Sequence, residues 1–236
     1  MRTVVTLGGS GSGFSARPPG PGAPRLAGVR LRPVYRGAVP GPLIVDLDGV
    51  LRLWDPAIIA DAEADHGLPA GTLADAVFRD AARLKQAVTG RLTDAQWRRA
   101  IADDLATVYG KAARSAVAQW SQPVGTVHLE VLELVRQQRT HRVVAILSNA
   151  TDRLDDDLRR LGLQEEVDVV FNSSALGHAK PDHRVFLDVC GRLGAAARAC
   201  TFVDDSLDNV IAANEVGLAG HHFTTVDALR AFLRGH

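Results

Sequence analysis

The sequence predicts an α/β fold: a Rossmann-like parallel sheet with helices on both faces, plus a small all-helical cap inserted after the first strand. From residue 42 onward, short apolar runs alternate with amphipathic helical segments. This alternation is typical of a parallel sheet, because two parallel strands need a crossover connection, which is usually a helix. Three helical patterns at about 56–109 precede the second apolar run. We therefore expect a core of residues 42–55 and 115–236, with a helical cap at residues 56–114.

Each predicted strand is a short apolar run that suits a buried position in a parallel sheet. The runs lie at residues 43–46, 142–147, 167–171 and 201–203, with a possible last strand at 220–223. The later helical patterns lie at residues 130–138, 152–161, 182–193, 206–216 and 226–233. Gly162 and Gly217 follow two of these helices as C-terminal caps. Thr93 and Gln96 have the spacing of a capping box, which predicts the start of a helix inside the cap.

The first forty residues differ in composition from the rest of the chain. They contain six arginines, six of the eleven prolines and no Asp, Glu or Lys. Such a segment has little apolar surface to bury, so we expect residues 1–41 to be a largely disordered tail. The glycine spacing at residues 8–15 resembles a phosphate-binding loop, but Phe14 occupies the position of the required lysine. A linker, a targeting segment and a start site assigned too far upstream all remain open.

Charge and composition argue against several classes of partner. The formal net charge is zero, and the chain after residue 40 has 21 basic and 27 acidic residues, a net charge of −6. We therefore expect no nucleic-acid partner, since proteins that bind nucleic acids present basic surfaces. No apolar stretch is long enough to cross a bilayer, so we expect no membrane partner. Cys190 and Cys200 match no metal or redox spacing, which favours a reducing, cytoplasmic location.

Acidic side chains follow two of the predicted strands at their carboxyl ends. Asp46 and Asp48 follow the first strand, and Asp204 and Asp205 follow the fourth. Ligands of parallel sheets bind beyond these ends, so we expect the four carboxylates to converge. Carboxylates that lie so close together repel each other unless a cation holds them. Because a site with only oxygen ligands suits a hard divalent ion, the sequence predicts bound Mg²⁺.

The spacing of Asp46 and Asp48 has a chemical consequence. Two acids separated by one residue can face the same small volume where a strand ends. One carboxylate can then attack while the other donates a proton, and carboxylate nucleophiles that form an aspartyl-phosphate are an established route for phosphoryl transfer. The backbone N–H groups of Leu47, Asp48 and Gly49 are candidates to bind phosphate oxygens. The pattern therefore predicts phosphoryl transfer.

Lysine usage singles out Lys180. The chain has only three lysines, Lys85, Lys111 and Lys180, among its 27 basic residues. Because arginine serves wherever a generic positive charge is sufficient, a lysine inside a motif indicates chemistry of its own. A compact ammonium group can enter a crowded anionic site in which a planar guanidinium does not fit. Pro181 follows Lys180 directly and fixes the loop before the next predicted helix.

Four short motifs occur in the order found in the haloacid dehalogenase-like hydrolase superfamily. The chain resembles this superfamily from about residue 43 to residue 236, and the helical insertion is similar to the first of its cap classes. One such motif is a weak signal, but four in order at plausible separations are a strong one. The motifs are Asp46-x-Asp48-Gly49-Val50, Ser148-Asn149, Lys180-Pro181-Asp182 and Asp204-Asp205-Ser206-x-x-Asn209.

The resemblance implies a role for each matching residue of the first three motifs. Asp46 would be the nucleophile and a Mg²⁺ ligand. Asp48 would be the general acid and base, and its backbone carbonyl would bind the metal. Ser148 and Asn149 would hydrogen-bond the transferring phosphoryl group. Lys180 would neutralise the charge shared by that group and Asp46.

The fourth motif implies the rest of the metal site. Asp204 and Asp205 would anchor Mg²⁺ directly or through water. From its place in the sequence, we expect Asn209 to brace their loop rather than to contact the substrate. The expected activity is that of a phosphatase acting on a small phosphorylated metabolite. Phosphosugars, phosphoglycolate and nucleotides remain open as substrates, because the cap usually sets specificity in this superfamily. The oligomeric state is not predicted.

Three other functions remain open. A dehalogenase would use the nucleophilic Asp without a metal, which leaves Asp48, Asp204 and Asp205 unexplained. A sugar-phosphate mutase would share the core and the site, and a catalytically silent binding module would lack activity altogether. Arg52 and Trp54 lie where members of the family often have a small polar residue. They either meet the substrate or pack the hinge of the cap.

Overall fold

The computed structural model describes residues 5–6 and 40–235. Apart from these few residues, the predicted tail at residues 1–41, with its loop at residues 8–15, lies outside the described residues. In this part of the chain the strands are β1 (Val5–Thr6), β2 (Leu43–Val45), β3 (Arg52–Leu53), β4 (Thr126–Val127), β5 (Val144–Ser148), β6 (Val169–Asn172), β7 (Thr201–Asp204) and β8 (Ala219–His222). The helices are α1 (Ala57–Asp65), α2 (Thr72–Phe78), α3 (Ala81–Val88), α4 (Asp94–Tyr109), α5 (Lys111–Trp120), α6 (Leu129–Arg139), α7 (Leu154–Leu161), α8 (Ser173–Leu176), α9 (His183–Arg192), α10 (Leu207–Glu215) and α11 (Val226–Arg234). Among these described helices, none has both the length and the apolar content needed to cross a membrane.

Six of the strands form one parallel sheet with the order β1-β6-β5-β2-β7-β8. Strand β2 lies between β5 and β7, and Val45 is in register with both Ile146 and Val203. After β2 the chain adds β5 and β6 along one edge of β2, and then β7 and β8 along its other edge. This change of direction opens a ligand site at the carboxyl ends of the strands beside β2. The predicted Rossmann-like parallel sheet is confirmed.

Helices cover both faces of the sheet, because successive strand residues point to opposite sides. Val45 and Ile146 belong to an apolar core that includes residues of α6, α7 and α11. Ile44 and Phe202 belong to a second core, which includes residues of α9 and α10. Phe202 meets Phe186 edge to face, with ring centroids 5.2 Å apart. Burying one such side chain contributes about 1.5–3 kcal/mol, so the two apolar layers hold the central strands firmly in register.

The helix boundaries follow the signals in the sequence. Helix α4 begins with the predicted capping box, in which the side chains of Thr93 and Gln96 each bond the backbone of the other. Helix α7 ends at Gly162, where φ is 70°. Residues 56–109 contain four helices, whereas the sequence predicted three. Only two residues separate α2 from α3, and the side chain of Asp80 caps the start of α3.

Helices α1–α5 lie between β3 and β4, and these two short strands pair antiparallel with Arg52 opposite Val127. Helix α5 continues to Trp120, whose ring meets Trp97 with centroids 5.7 Å apart. The division into a cap at residues 56–114 and a core around it stays a prediction. The buried residues that the insertion packs around are Ala62, Leu73, Val77, Ala87, Trp97, Ile101, Ala102 and Val117.

The start of α9 is held by Asp182, which gives a testable stability effect. The Asp182 carboxylate accepts hydrogen bonds from the backbone and the guanidinium of Arg184, and these bonds lower its pKa from 3.8 to about 2. A lowered carboxylate pKa stabilises the folded state above the unfolded-state pKa, and this stabilisation is lost as the pH falls towards the folded-state value. We expect Asp182→Ala to lower the free energy of unfolding at about pH 7 by about 0.5–2 kcal/mol.

Asp182→Asn is the matched control, because asparagine also caps helices and only the charge is removed. Chemical denaturation at several pH values measures the difference between this variant and the wild type. The wild type should keep its full advantage at about pH 7 and lose it as the pH falls through about 4 towards about 2. An advantage that is independent of pH would contradict the assignment.

Candidate active site

The carboxyl ends of three adjacent strands bring most of the predicted site residues together. Asp46 follows β2, Ser148 ends β5 and Asp204 ends β7, and β2 lies between the other two strands. All three side chains are buried, and Asp204 is fully buried. Lys180 reaches the same place from the loop that precedes α9. The site therefore lies where the strand order predicts a ligand site.

Three carboxylates meet at this edge of the sheet. Asp46, Asp204 and Asp205 each place an oxygen within 4.8 Å of the others. Burial raises the pKa of Asp46 to about 7; the charge of Lys180 opposes this shift, and that of Asp204 adds to it. Burial and the nearby Asp204 also raise the pKa of Asp205. The cluster thus holds more negative charge than Lys180 offsets.

Lys180 links two of these carboxylates. Its Nζ lies 2.6 Å from Oδ1 of Asp46 and 2.6 Å from Oδ2 of Asp204, and it donates to the carbonyl of Leu147 at 3.0 Å. The three acceptors match the three donors of an ammonium group. Burial disfavours the charged form, but the carboxylates of Asp46 and Asp204 outweigh it and raise the pKa of Lys180. The ammonium group is therefore held in its charged form beside Asp46.

The side chain of Asn149 holds the backbone of Lys180 in place. Its Oδ1 accepts from the Lys180 N–H at 2.8 Å, and its Nδ2 donates to the Lys180 carbonyl at 2.8 Å. Both ends of the amide are used in this way, so the contacts favour a role in orienting Lys180. The expected hydrogen bonds from Asn149 and Ser148 to a phosphoryl group stay predictions.

Asp204 is fixed by its own loop on the side away from Lys180. Its Oδ1 accepts from the Ser206 N–H at 2.8 Å and from Nδ2 of Asn209 at 2.9 Å. Asn209 thus braces the loop as the sequence predicts. The ring of His222 lies 3.0 Å from the carbonyl oxygen of Asp205 and adds a contact that the sequence did not indicate.

Gly49 allows the loop after β2 to pass close to Asp205. Its φ is 79°, and a Cβ at this position would lie 2.0 Å from Oδ2 of Asp205. A side chain here would therefore push Asp205 out of the cluster. The N–H of Gly49 donates to the carbonyl of Arg52 at 2.9 Å, so the expectation that it binds phosphate is not met. Leu47 and Asp48 remain the candidates for backbone contacts to a phosphoryl group.

The carboxylate of Asp48 is bound by two residues of the segment that leads into the helical insertion. Arg52 donates from Nε to Oδ1 at 2.6 Å and from Nη2 to Oδ2 at 2.9 Å. Trp54 donates from Nε1 to Oδ1 at 2.6 Å. Sequence reasoning left Arg52 and Trp54 undecided between substrate and hinge and did not connect them to Asp48. The available signal was an acid and an arginine four residues apart, which here face each other across a tight turn.

The donor set of the acidic cluster fits a hard divalent cation. Asp46, Asp204 and Asp205 offer only oxygen ligands, and they meet within the 4.8 Å that one ion can bridge. The excess negative charge of the cluster also favours a cation. Among the residues that the structure describes, no other group of three or more His, Cys, Asp or Glu side chains has this arrangement.

Comparisons with known proteins found a family model and partial relatives that match this chain. A family model described as haloacid dehalogenase-like hydrolase matches residues 43–217. The chain is 37% identical over 70 residues to flavin mononucleotide hydrolase 1 of Arabidopsis thaliana, a match that covers 30% of this chain and 29% of the relative. It is 42% identical over 57 residues to the sesquiterpene phosphatase astK of Aspergillus oryzae, covering 24% and 29%. The chain thus matches less than a third of the length of either relative.

The fold also matches a solved structure. A HAD family enzyme of Bacteroides thetaiotaomicron, in a variant crystallised with magnesium and inorganic phosphate, superposes with a TM-score of 0.63 and 22% identity. The match covers 78% of this chain and 94% of that chain. At this level of identity the likeness concerns the fold alone.

Proposed function

Because the chain belongs to the haloacid dehalogenase-like hydrolase family, we propose that it is a Mg²⁺-dependent phosphatase that transfers a phosphoryl group from a small metabolite to Asp46 and then to water. The observation that carries this proposal is the contact of Lys180 with both Asp46 and Asp204, at 2.6 Å each, beside the carboxylate of Asp205. Phosphoryl transfer needs mainly positioning and charge neutralisation, and this cluster offers both.

In the first step, an oxygen of the Asp46 carboxylate would form a bond to phosphorus while the bond from phosphorus to the leaving-group oxygen breaks. Asp48 would give its proton to that oxygen, so that the product leaves as a neutral alcohol. The hydroxyl of Ser148 and the backbone N–H groups of Leu47 and Asp48 would donate to the phosphoryl oxygens. Lys180 would keep the charge of Asp46 and the phosphoryl group offset.

In the second step, water would attack the phosphorus of the aspartyl-phosphate and give a proton to Asp48. The bond from phosphorus to Asp46 would break, which regenerates the carboxylate and releases inorganic phosphate. Mg²⁺ bound by Asp46, Asp204, Asp205 and the backbone carbonyl of Asp48 would supply positive charge beside the phosphoryl oxygens.

The names of the two partial relatives, a flavin mononucleotide hydrolase and a sesquiterpene phosphatase, support hydrolysis of a phosphate ester. The substrate is best found with a panel of phosphosugars, phosphoglycolate, nucleotides and flavin mononucleotide, by measuring the release of inorganic phosphate with Mg²⁺ present. We propose a cytoplasmic location on the cysteine pattern of the chain. A folded protein that hydrolyses no member of a broad panel would favour a catalytically silent binding module.

Removal of the metal should stop turnover. We expect treatment with a chelator to lower the rate of phosphate release by at least about 10²-fold, because the charge of the acidic cluster and the phosphoryl group is then poorly offset. Added Mg²⁺ should restore the rate. Activity on a 2-haloacid that resists the chelator would instead favour a dehalogenase. Activation by a bisphosphorylated sugar, with formation of an isomer, would favour a mutase.

A further inference from the structure

The carboxylate of Asp48 accepts three hydrogen bonds from neighbouring side chains although it is partly exposed. Oδ1 accepts from Nε of Arg52 and Nε1 of Trp54, both at 2.6 Å, and Oδ2 accepts from Nη2 of Arg52 at 2.9 Å. The Arg52 guanidinium also lies 4.7 Å from the centre of the Trp54 ring. Three hydrogen bonds and one stacking contact therefore define a single orientation of this carboxylate.

Arg52 is itself anchored in the core. Its side chain is 5% exposed, and Nη1 donates to Oδ2 of Asp157 on helix α7 at 3.1 Å. Asp157 is buried, and its Oδ1 accepts from Nε of Arg153 at 2.8 Å. Because a guanidinium presents its donors in a rigid fork, a fixed Arg52 also fixes the carboxylate at its other end.

The same chain of contacts reaches the segment that returns from the helical insertion. The Arg153 guanidinium donates to the carbonyl of Pro123 at 2.9 Å and also to the carbonyl of Ser121. Arg160 donates to the carbonyl of Gln122 at 2.9 Å. Asp48 is thus connected through side chains to both segments that join the insertion to the sheet.

We propose that Arg52 and Trp54 are positioning residues that orient the Asp48 carboxylate for proton exchange with the leaving-group oxygen and with the attacking water. This inference rests on the proposed phosphatase function. An unrestrained aspartate samples several rotamers, and a misplacement of about 1 Å at a reacting group can lower a rate by about 10²-fold.

The contacts of Arg52 and Trp54 with Asp48, called the clamp from here on, also distinguish the two oxygens of Asp48. Each carboxylate oxygen has two lone-pair sites. Oδ1 accepts two hydrogen bonds and Oδ2 accepts one, so Oδ2 is the oxygen with capacity left for the transferred proton.

The test compares two substrates that differ in their need for a proton. The leaving oxygen of benzyl phosphate must be protonated by a general acid as it departs, whereas 4-nitrophenyl phosphate releases a phenolate that is stable without a proton. The ratio kcat/KM reports the first step, in which the leaving oxygen takes its proton. A misplaced Asp48 should therefore lower kcat/KM more for benzyl phosphate than for 4-nitrophenyl phosphate. We expect Trp54→Phe, which keeps an aromatic ring but loses the donor, to lower kcat/KM about 10-fold for benzyl phosphate and less than about 3-fold for 4-nitrophenyl phosphate.

Arg52→Met should lower kcat/KM about 10²-fold for benzyl phosphate and less than about 10-fold for 4-nitrophenyl phosphate. Arg52→Lys should recover part of this loss, because it keeps the positive charge. Arg136→Met is the matched control, because Arg136 forms a similar two-bond pair with Glu166, at 2.8 and 2.5 Å, on the exposed surface of α6. Arg136→Met should leave kcat/KM unchanged for both substrates. Equal losses on both substrates for Trp54→Phe and Arg52→Met would overturn the proposal.

A second measurement does not depend on turnover. The chain has three tryptophans, so an NMR spectrum of the indole N–H groups should contain three signals, and Trp54→Phe identifies the one that belongs to Trp54. Asp48→Ala should shift this signal and leave those of Trp97 and Trp120 in place. An unmoved Trp54 signal would overturn the clamp. A wild type that hydrolyses neither phosphate ester, with the expected indole shift present, would count against the phosphatase function and leave the clamp intact.

Discussion

Asp46→Asn should lower kcat by at least about 10³-fold, the size of loss typical for a covalent nucleophile. The amide keeps the shape of the side chain but cannot form the aspartyl-phosphate. We expect no loss in the free energy of unfolding, because Asp46 and Asp204 share the ammonium of Lys180 and one of two crowded carboxylates is removed. Steady-state kinetics and chemical denaturation of the same preparation measure both effects.

The matched control for this variant is Asp61→Asn, on the exposed surface of α1, which should leave kcat unchanged. Mass spectrometry of acid-quenched wild-type protein during turnover should detect the added mass of one phosphoryl group, and the Asp46→Asn protein should lack it. If Asp46→Asn retained the wild-type rate, the nucleophile would have to be another group, and the proposed mechanism would be wrong.

Lys180→Met should lower both activity and stability. The substitution leaves the buried carboxylates of Asp46 and Asp204 without the ammonium that now lies 2.6 Å from each. Removing one partner of a buried ion pair typically costs about 3–5 kcal/mol, a large part of the roughly 5–15 kcal/mol by which a domain is stable. We expect a loss of this size in chemical denaturation with a chelator present, and a fall in kcat of at least about 10²-fold.

Mg²⁺ separates the two effects of this substitution. A cation that binds the folded acidic cluster and not the unfolded chain adds to the free energy of unfolding. Added Mg²⁺ should therefore restore part of the stability of Lys180→Met, while the rate stays low because the phosphoryl group still lacks its ammonium partner. Lys85→Met and Lys111→Met, both at exposed positions, should change neither quantity. Wild-type activity in Lys180→Met would contradict the role assigned to Lys180.

The elements of the fold could be predicted because their signals are local. The apolar run at residues 43–46 overlaps β2, and the capping box at Thr93 marks the start of α4. The same reasoning was wrong for residues 56–109, where it counted three helical patterns and the structure has four helices, of which α2 and α3 are only two residues apart. It also missed β3 and β4, because a two-residue strand has no period to detect and its partner lies about seventy residues away in the sequence.

The candidate site could be predicted in part for a related reason. Acids that follow apolar runs must lie at the carboxyl edge of a parallel sheet, so the position of Asp46 and Asp204 followed from the pattern alone. The pattern did not predict which group each side chain contacts. The Ser148-Asn149 motif does not reveal that Asn149 holds the backbone of Lys180, 31 residues later in the chain. Nor does the first motif reveal that Asp48 is bound by Arg52 and Trp54.

The sequence by itself determined the alternation of the central strands with the helices of the core, the edge of the sheet that carries the acids and the unusual lysine among them. These features depend on periodicity, caps and residue type within a few positions of each other. Only the tertiary structure decided which groups touch, such as the contact of Arg52 with Asp157 across 105 residues. The reason is that a hydrogen bond or ion pair forms over about 3 Å in space, whatever the separation along the chain.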